Sequence, residues 1–144
     1  MKGHGAGVDS HEAEQSEQVV RLLVALRDRF VEVLPSNDFD VSIEHRQAIK
    51  IHGVGSRRGD TAWLTPMPIW RSELPLDERM QLFLETACKR VQEFVSQPRR
   101  RWPTDTAEAQ VVIDERAITV WWGGPTPSCA DVALRPIERR ELGF

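Results

Sequence analysis

Residues Gln110–Gly124 have the sequence QVVIDERAITVWWGG, and this stretch decides the fold. Two runs of β-branched residues flank a polar turn, and a Gly pair ends the second run. Pairing Ile113 with Ile118 across the loop Asp114–Ala117 brings apolar residues together on one side. Those residues are Ala109, Val111, Val120 and Trp122. The stretch therefore predicts a β-hairpin with one continuous apolar face.

The opposite face of this hairpin pairs Val112 with Thr119 and Gln110 with Trp121. A strand that is buried on one side normally has polar residues on its second face, which is exposed to solvent. Here that face carries a Val and a Trp, so we expect it either to be covered or to bind something. Trp is enriched at interface hot spots. The predicted binding residues on this face are Trp121, Val112 and Thr119.

The tryptophans give a second indication of a contact surface, because the chain has five Trp and no Tyr. Trp70 and Trp102 lie in connections marked by prolines, which usually run over the surface. Trp70 is therefore a further predicted binding residue. Trp63 lies in a predicted strand, and the pattern leaves open whether it or the pair Ala62 and Leu64 points inward.

The chain length and composition fit one globular domain, since 144 residues can form a core without disulfides or metals. We expect residues 1–8, which are Gly-rich and polar, to be a disordered tail and residues 9–144 to form a single domain. The net charge of −3 gives no general attraction to nucleic acid or to an anionic membrane. No apolar run is long enough to span a bilayer.

The cysteine and histidine patterns argue against a metal site. The two cysteines have no metal-like spacing, and none of the four histidines shows HxH, HxxH or HExxH spacing. We therefore expect neither a metal nor a cofactor. Without a disulfide framework or a secretory signal, the expected location is the cytoplasm.

Two amphipathic helices are predicted from apolar residues that recur at three- and four-residue steps. The first starts near Asp9 or Ser10 and ends before Pro35. The second starts near Ser72 or Pro75 and ends before Pro98. Their apolar stripes are Val19, Leu22, Leu23, Leu26, Phe30, Val33 and Leu34 in the first helix, and Met80, Phe83, Leu84, Ala87, Val91, Phe94 and Val95 in the second.

The segments Phe39–Glu44 and Ala48–Val54 alternate apolar and polar residues, which predicts a second hairpin. Its register follows from the alternation, because a one-residue slip would move the apolar set to the wrong face. Pairing Ile43 with Ile49 places Asp40 opposite His52 on the outer face. A further strand is expected at Thr61–Thr65, and the pattern leaves open whether residues 131–135 form another.

The predicted element order is α-β-β-β-α-β-β, which belongs to the α+β class. We expect two helices packed on one face of a five-stranded, or six-stranded, antiparallel sheet. This order resembles that of small α+β domains of the secretion-chaperone type, although no motif is shared. The resemblance implies a homodimer that binds other proteins.

Further groups of residues are candidate sites because of their side-chain chemistry. An outward pair of His52 and Asp40 could orient an imidazole for general base catalysis, but an exposed ion pair on a sheet face is the more ordinary interpretation. Weak anion-binding candidates are two groups of arginines: Arg57 and Arg58 in a Gly-rich loop, and Arg99, Arg100 and Arg101 before Trp102. Cations after a helix end also complement the helix dipole, so nucleic acid is an unlikely partner.

The sequence thus predicts a non-enzymatic protein-binding or adaptor domain, homodimeric and using the outer face of the 110–122 hairpin. The alternative is a small enzyme or ligand-binding protein centred on His52 and Asp40.

Overall fold

The computed structural model describes residues 2–67, 69–96, 102 and 108–144, with side chains from residue 13 onward. The part described is an α+β fold with two antiparallel sheets. The helices are α1 (Lys2–Val33), α2 (Leu76–Ser96) and α3 (Arg139–Leu142). The strands are β1 (Phe39–Glu44), β2 (Ala48–Gly53), β3 (Thr61–Leu64), β4 (Ala109–Ile113), β5 (Ala117–Trp122), β6 (Val132–Ala133) and β7 (Ile137–Glu138).

The first helix is longer than the capping pattern predicts, because α1 begins at Lys2 rather than near Asp9. It ends at Val33, as expected, because Pro35 disfavours the helical conformation of Leu34, the residue before it. The division into a disordered tail of residues 1–8 and a domain of residues 9–144 stays a prediction.

The registers of both predicted hairpins are confirmed. Ile43 pairs with Ile49 between β1 and β2, and Ile113 pairs with Ile118 between β4 and β5. The inner residues of each hairpin belong to the hydrophobic core together with the buried stripes of α1 and α2. The strict alternation of apolar and polar residues specifies these pairings, because only one register buries all of the apolar residues on the same face.

The predicted single sheet is wrong, because the strands form two sheets. One has the order β1-β2-β3, and in the other β5 pairs with β4, β6 and β7. Helix α2 contacts an edge strand of each sheet. Gln81 Nε2 donates to Val111 O of β4 at 2.8 Å, and Arg90 Nε donates to Trp63 O of β3 at 3.1 Å.

The spacing of those two side chains explains the separation. Nine positions along an α-helix correspond to a rotation of about 180° once whole turns are removed, so Gln81 and Arg90 project from opposite flanks. Each flank of α2 therefore bonds the edge of a different sheet. Because both edge strands bond α2, the helix bridges the two sheets.

The C-terminal residues are more structured than the sequence suggests. The open question about residues 131–135 is settled, since Val132 and Ala133 form β6 against β5. The following residues, predicted only as a short charged tail, form β7 and the short helix α3. Arg29 of α1 holds this segment, because its buried guanidinium donates to Arg135 O at 3.2 Å and Pro136 O at 2.9 Å and also binds the Glu141 carboxylate.

Candidate functional site

The outer face of the β4–β5 hairpin carries the residues that were predicted to lie there. Gln110 pairs with Trp121, and Val112 pairs with Thr119. Val112 is 47% exposed and Thr119 is half-buried, but Trp121 is only 7% exposed. The prediction that Trp121 is open to a partner is therefore wrong.

Trp121 is covered by the segment that follows its own strand. Its indole Nε1 donates to Gly124 O at 3.1 Å, and residues of β5 contact the 3₁₀ turn Pro127–Cys129. Gly123 and Gly124 have φ of 72° and 82°, a backbone conformation that glycine adopts without strain. A Cβ on Gly124 would stand 2.4 Å from Cys129 O, so this return of the chain requires glycine.

Trp70, the other tryptophan predicted to bind, is fully buried in the 3₁₀ turn Ile69–Arg71. The Arg79 guanidinium lies over its ring at 5.4 Å and donates to Trp70 O at 3.1 Å. The prediction of a surface position is wrong, because the proline-marked connection folds inward and places the ring in the core. Trp102 is also buried and makes an edge contact with Trp122, with ring centroids 5.1 Å apart.

Trp63 is the exposed tryptophan of the described part, and the sequence left its direction open. Ala62 and Leu64 are buried, whereas Trp63 is 44% exposed on the outer face of the β1–β2–β3 sheet. The Lys50 ammonium lies 5.4 Å from the centre of its ring, within reach of a cation–π interaction. We call this surface the Trp63 face; its residues are Asp40, Ser42, Lys50, His52, Thr61 and Trp63.

The predicted pair of Asp40 and His52 forms on the same face. The two residues are directly opposite in the register, and His52 Nε2 lies 3.5 Å from Asp40 Oδ2. Asp40 Oδ1 also accepts a hydrogen bond from Val41 N at 3.1 Å. The groove lined by Thr61 and Arg90 and the cavity lined by Arg116 and Arg139 both exclude Asp40 and His52. The geometry is that of a cross-strand contact between a half-buried imidazole and an exposed carboxylate, with Ser42 and Lys50 opposite each other beside it.

The Arg57 guanidinium is bonded within the protein itself, and its anion-binding role stays a prediction. Its Nη atoms donate to Phe94 O at 3.0 Å and Val95 O at 3.3 Å, and Nε donates to Asp60 at 2.6 Å. The guanidinium also lies 4.9 Å from the Phe39 ring centre and 5.5 Å from that of Phe94. These bonds cap the C-terminal carbonyls of α2 and occupy three of the five N–H donors of the guanidinium.

The remaining predicted arginines do not form a described site. Arg58 is exposed in the loop before β3. Arg99, Arg100 and Arg101 lie outside the described residues. Trp102, which would have to stack on a base in the nucleic-acid hypothesis, is buried against the core instead.

Groups that could carry chemistry are sparse in the described part of the chain. Burial raises the pKa of the Cys88 thiol to about 12, which makes the thiolate inaccessible near neutral pH. Cys129 is exposed in the turn after β5. Among the described residues, no three or more His, Cys, Asp or Glu side chains cluster as a metal site would require.

No protein-family model, curated protein or solved structure matches this chain. Among the described helices, none combines the length and the apolar character needed to cross a bilayer.

Proposed function

We propose that this chain is a non-enzymatic protein-binding domain whose contact surface is the Trp63 face. The observation that carries the proposal is Trp63 itself, a 44% exposed indole on a sheet face that is otherwise polar. An aromatic anchor within a polar rim is the usual composition of an interface hot spot. Covering the remaining ring surface would contribute on the order of 2 kcal/mol to binding.

The hairpin face that the sequence favoured is the weaker surface. Its Trp121 is covered by the protein's own chain, so Val112 is left as a single exposed apolar residue there. Single exposed aliphatic residues are ordinary on protein surfaces. The Trp63 face combines a larger ring with charged neighbours of both signs, Lys50 and Asp40, which can orient a partner.

The proposal includes the homodimer and the cytoplasmic location expected from the sequence. Two free thiols, Cys88 and Cys129, agree with a reducing compartment. The homodimer follows from the topological resemblance to secretion-chaperone-type domains, and fold alone does not fix function.

A capture experiment tests the protein-binding function. Immobilised wild-type chain is compared with Trp63→Ser and with Val112→Ser, a matched control because Val112 is equally exposed on the other sheet. Captured proteins are quantified by mass spectrometry, and thermal melts verify that both variants fold. We expect the same proteins on wild type and Val112→Ser and their loss on Trp63→Ser. Equal capture by all three chains, or no specific capture by the wild type, would contradict the proposal.

A second candidate function is ligand binding or catalysis centred on His52 and Asp40. The observation that favours it is the formed pair, together with the buried His52 Nδ1, which has no hydrogen-bond partner in the described part. A thermal-shift screen of small molecules tests it, because a ligand that binds the native state raises its stability. A ligand that stabilises wild type and His45→Asn but not His52→Ala would support this function, and a screen without any such ligand would rule against it.

A further inference from the structure

The backbone of β3 presents hydrogen-bonding groups on the side away from β2. Gly53 N donates to Asp60 O at 2.8 Å, and in this register Thr61 lies opposite His52 and Trp63 opposite Lys50. Hydrogen-bonded and non-bonded pairs alternate in an antiparallel ladder. Because Gly53 and Asp60 form a bonded pair, the N–H and C=O groups of Thr61 and Trp63 point to the free edge of β3.

The free edges of β1 and β4 also make hydrogen bonds with the protein's own groups. On β1, Val41 N donates to Asp40 Oδ1, and Phe39 N donates to Pro35 O at 3.1 Å. On β4, Gln81 bonds Val111 O. Such devices are the usual protection of an edge strand against pairing with another chain.

The edge of β3 is protected by one side-chain bond, as the edge of β4 is, but an open groove lies beside it. In the described part, Arg90 Nε bonds Trp63 O, and a carbonyl oxygen can accept a second hydrogen bond. An open groove of about 610 Å³ runs beside this edge. It is lined by Arg57, Gly59, Asp60, Thr61, Ala62, Arg90, Glu93 and Phe94.

We propose that this edge binds a second copy of the chain, with the two β3 strands antiparallel about a twofold axis at Ala62. Thr61 of each copy then pairs with Trp63 of the other through main-chain hydrogen bonds. On the outer face this pairing also places the Thr61 side chain beside the indole of the second copy, and such cross-strand pairs stabilise sheets. Two three-stranded sheets become one of six strands.

Charge complementarity points to a second copy as the occupant. Arg90 is bonded to Trp63 at one end of β3. Glu93 is at the other end of β3. It precedes Phe94, whose carbonyl oxygen accepts a hydrogen bond from Arg57, and Arg57 is paired with Asp60, the residue before Thr61. Because Thr61 meets Trp63 of the second copy, Glu93 meets Arg90 of the second copy. The twofold symmetry makes this ion pair twice, as an isologous contact requires.

The inference rests on the proposed function and deepens it, since it names one partner and explains how the Trp63 face becomes larger. In the pair, the two faces join into one surface with both indoles near its centre. A partner protein could then contact two tryptophans and two lysines at once.

Sedimentation velocity over a concentration series tests the pairing, with charge-reversed chains as the main variants. Arg90→Glu and Glu93→Arg should each weaken self-association about tenfold, because each breaks two symmetric ion pairs. The double variant should recover part of the association, since the exchanged charges remain complementary while the Arg90 bond to Trp63 O is lost. Arg58→Glu, an exposed change in the preceding loop, is the matched control and should leave self-association unchanged.

A second variant tests the main-chain contact. Thr61→Pro removes an N–H that β2 does not use, and the first residue of an edge strand tolerates proline. We expect this variant to stay folded by circular dichroism and to be monomeric. A wild type that is monomeric up to its solubility limit, a dimer that persists in folded Thr61→Pro, or a double charge variant that recovers none of the association would each overturn the pairing.

The outcome can be separated from that of the capture experiment. Capture that depends on Trp63 in a monomeric chain would retain the proposed function and remove the pairing. A dimer with the expected charge dependence that captures no protein would retain the pairing and remove the proposed function.

Discussion

Among the residues whose side chains are described, Arg29 is the charged side chain that is buried most completely, at 2% exposed. Its guanidinium is satisfied by three backbone carbonyls, those of Ala25, Arg135 and Pro136, and by both oxygens of Glu141. A buried charge is tolerated only when its hydrogen bonds are made, and removing one partner leaves an uncompensated charge. Arg29 therefore makes the C-terminal segment part of the domain rather than a loose tail.

Glu141→Gln should destabilise the protein by about 2 kcal/mol, a value reduced from that of a fully buried pair because Glu141 is partly exposed. Urea denaturation measures the change. The control is Arg140→Gln, which removes the ion pair with Glu138, in which the arginine is 85% exposed. We expect the control to change stability by less than about 0.5 kcal/mol. Equal changes in the free energy of unfolding for the two substitutions would show that the burial of Arg29 does not strengthen its pair with Glu141.

The same pair predicts a pH dependence. The hydrogen bond from Arg29 lowers the pKa of the Glu141 carboxyl below its usual 4.5. A carboxyl whose pKa is lower in the folded state contributes stability above its unfolded pKa and loses it as the pH falls through the folded value. Urea denaturation of wild type and Glu141→Gln should give stabilities that converge below about pH 4. A constant difference in stability between the two chains down to pH 2, about two units below the expected convergence, would contradict this.

At the level of elements, the sequence predicted the two hairpins with their registers because alternation is a local signal. The position of Trp121 on the outer side of β5 followed from the same signal. Its covering did not, since it depends on two glycines with positive φ and on where Cys129 and Ala130 come to lie. The direction of Trp63 also required the structure, because both Trp63 and its neighbours Ala62 and Leu64 are apolar.

The return of the chain over Trp121 can be tested with paired glycine substitutions. Gly124→Ala should cost at least about 1 kcal/mol more than Gly59→Ala in urea denaturation. Both residues have positive φ, so both substitutions strain the backbone, but only at Gly124 does the new Cβ meet another backbone atom, at 2.4 Å. The comparison isolates the steric contact. Equal costs would mean that the turn does not pack on residues 129–130 as described.

At the level of the whole molecule, helix α2 separates the strands into two sheets, which no local pattern indicated. Its amphipathic stripe was predicted, but the hydrogen bonds from Gln81 and Arg90 to two different strand edges depend on the tertiary arrangement. Likewise, the burial of Arg29 depends on Arg135 and Pro136, which lie 106 and 107 positions away in the sequence. Long-range contacts decide both, so the α+β class could be predicted from the sequence while the division of the sheet and the candidate site could not.

The contact surface was expected on the β4–β5 hairpin, but the proposed contact surface is now on the other sheet. With Trp121 at 7% and Trp63 at 44% exposed, the indole available to a partner lies on the β1–β2–β3 sheet. The conclusion depends on folded-state exposure, which can be measured without knowing the partner.

Hydroxyl-radical footprinting with mass-spectrometric readout is the most direct measurement, made at a concentration low enough to keep the chain monomeric. Trp63 should be oxidised several-fold faster than Trp121, and Trp70 and Trp122 should be oxidised as slowly as Trp121, because all three are buried. Oxidation of Trp121 at a rate equal to or above that of Trp63 would contradict the assignment of the contact surface to the Trp63 face.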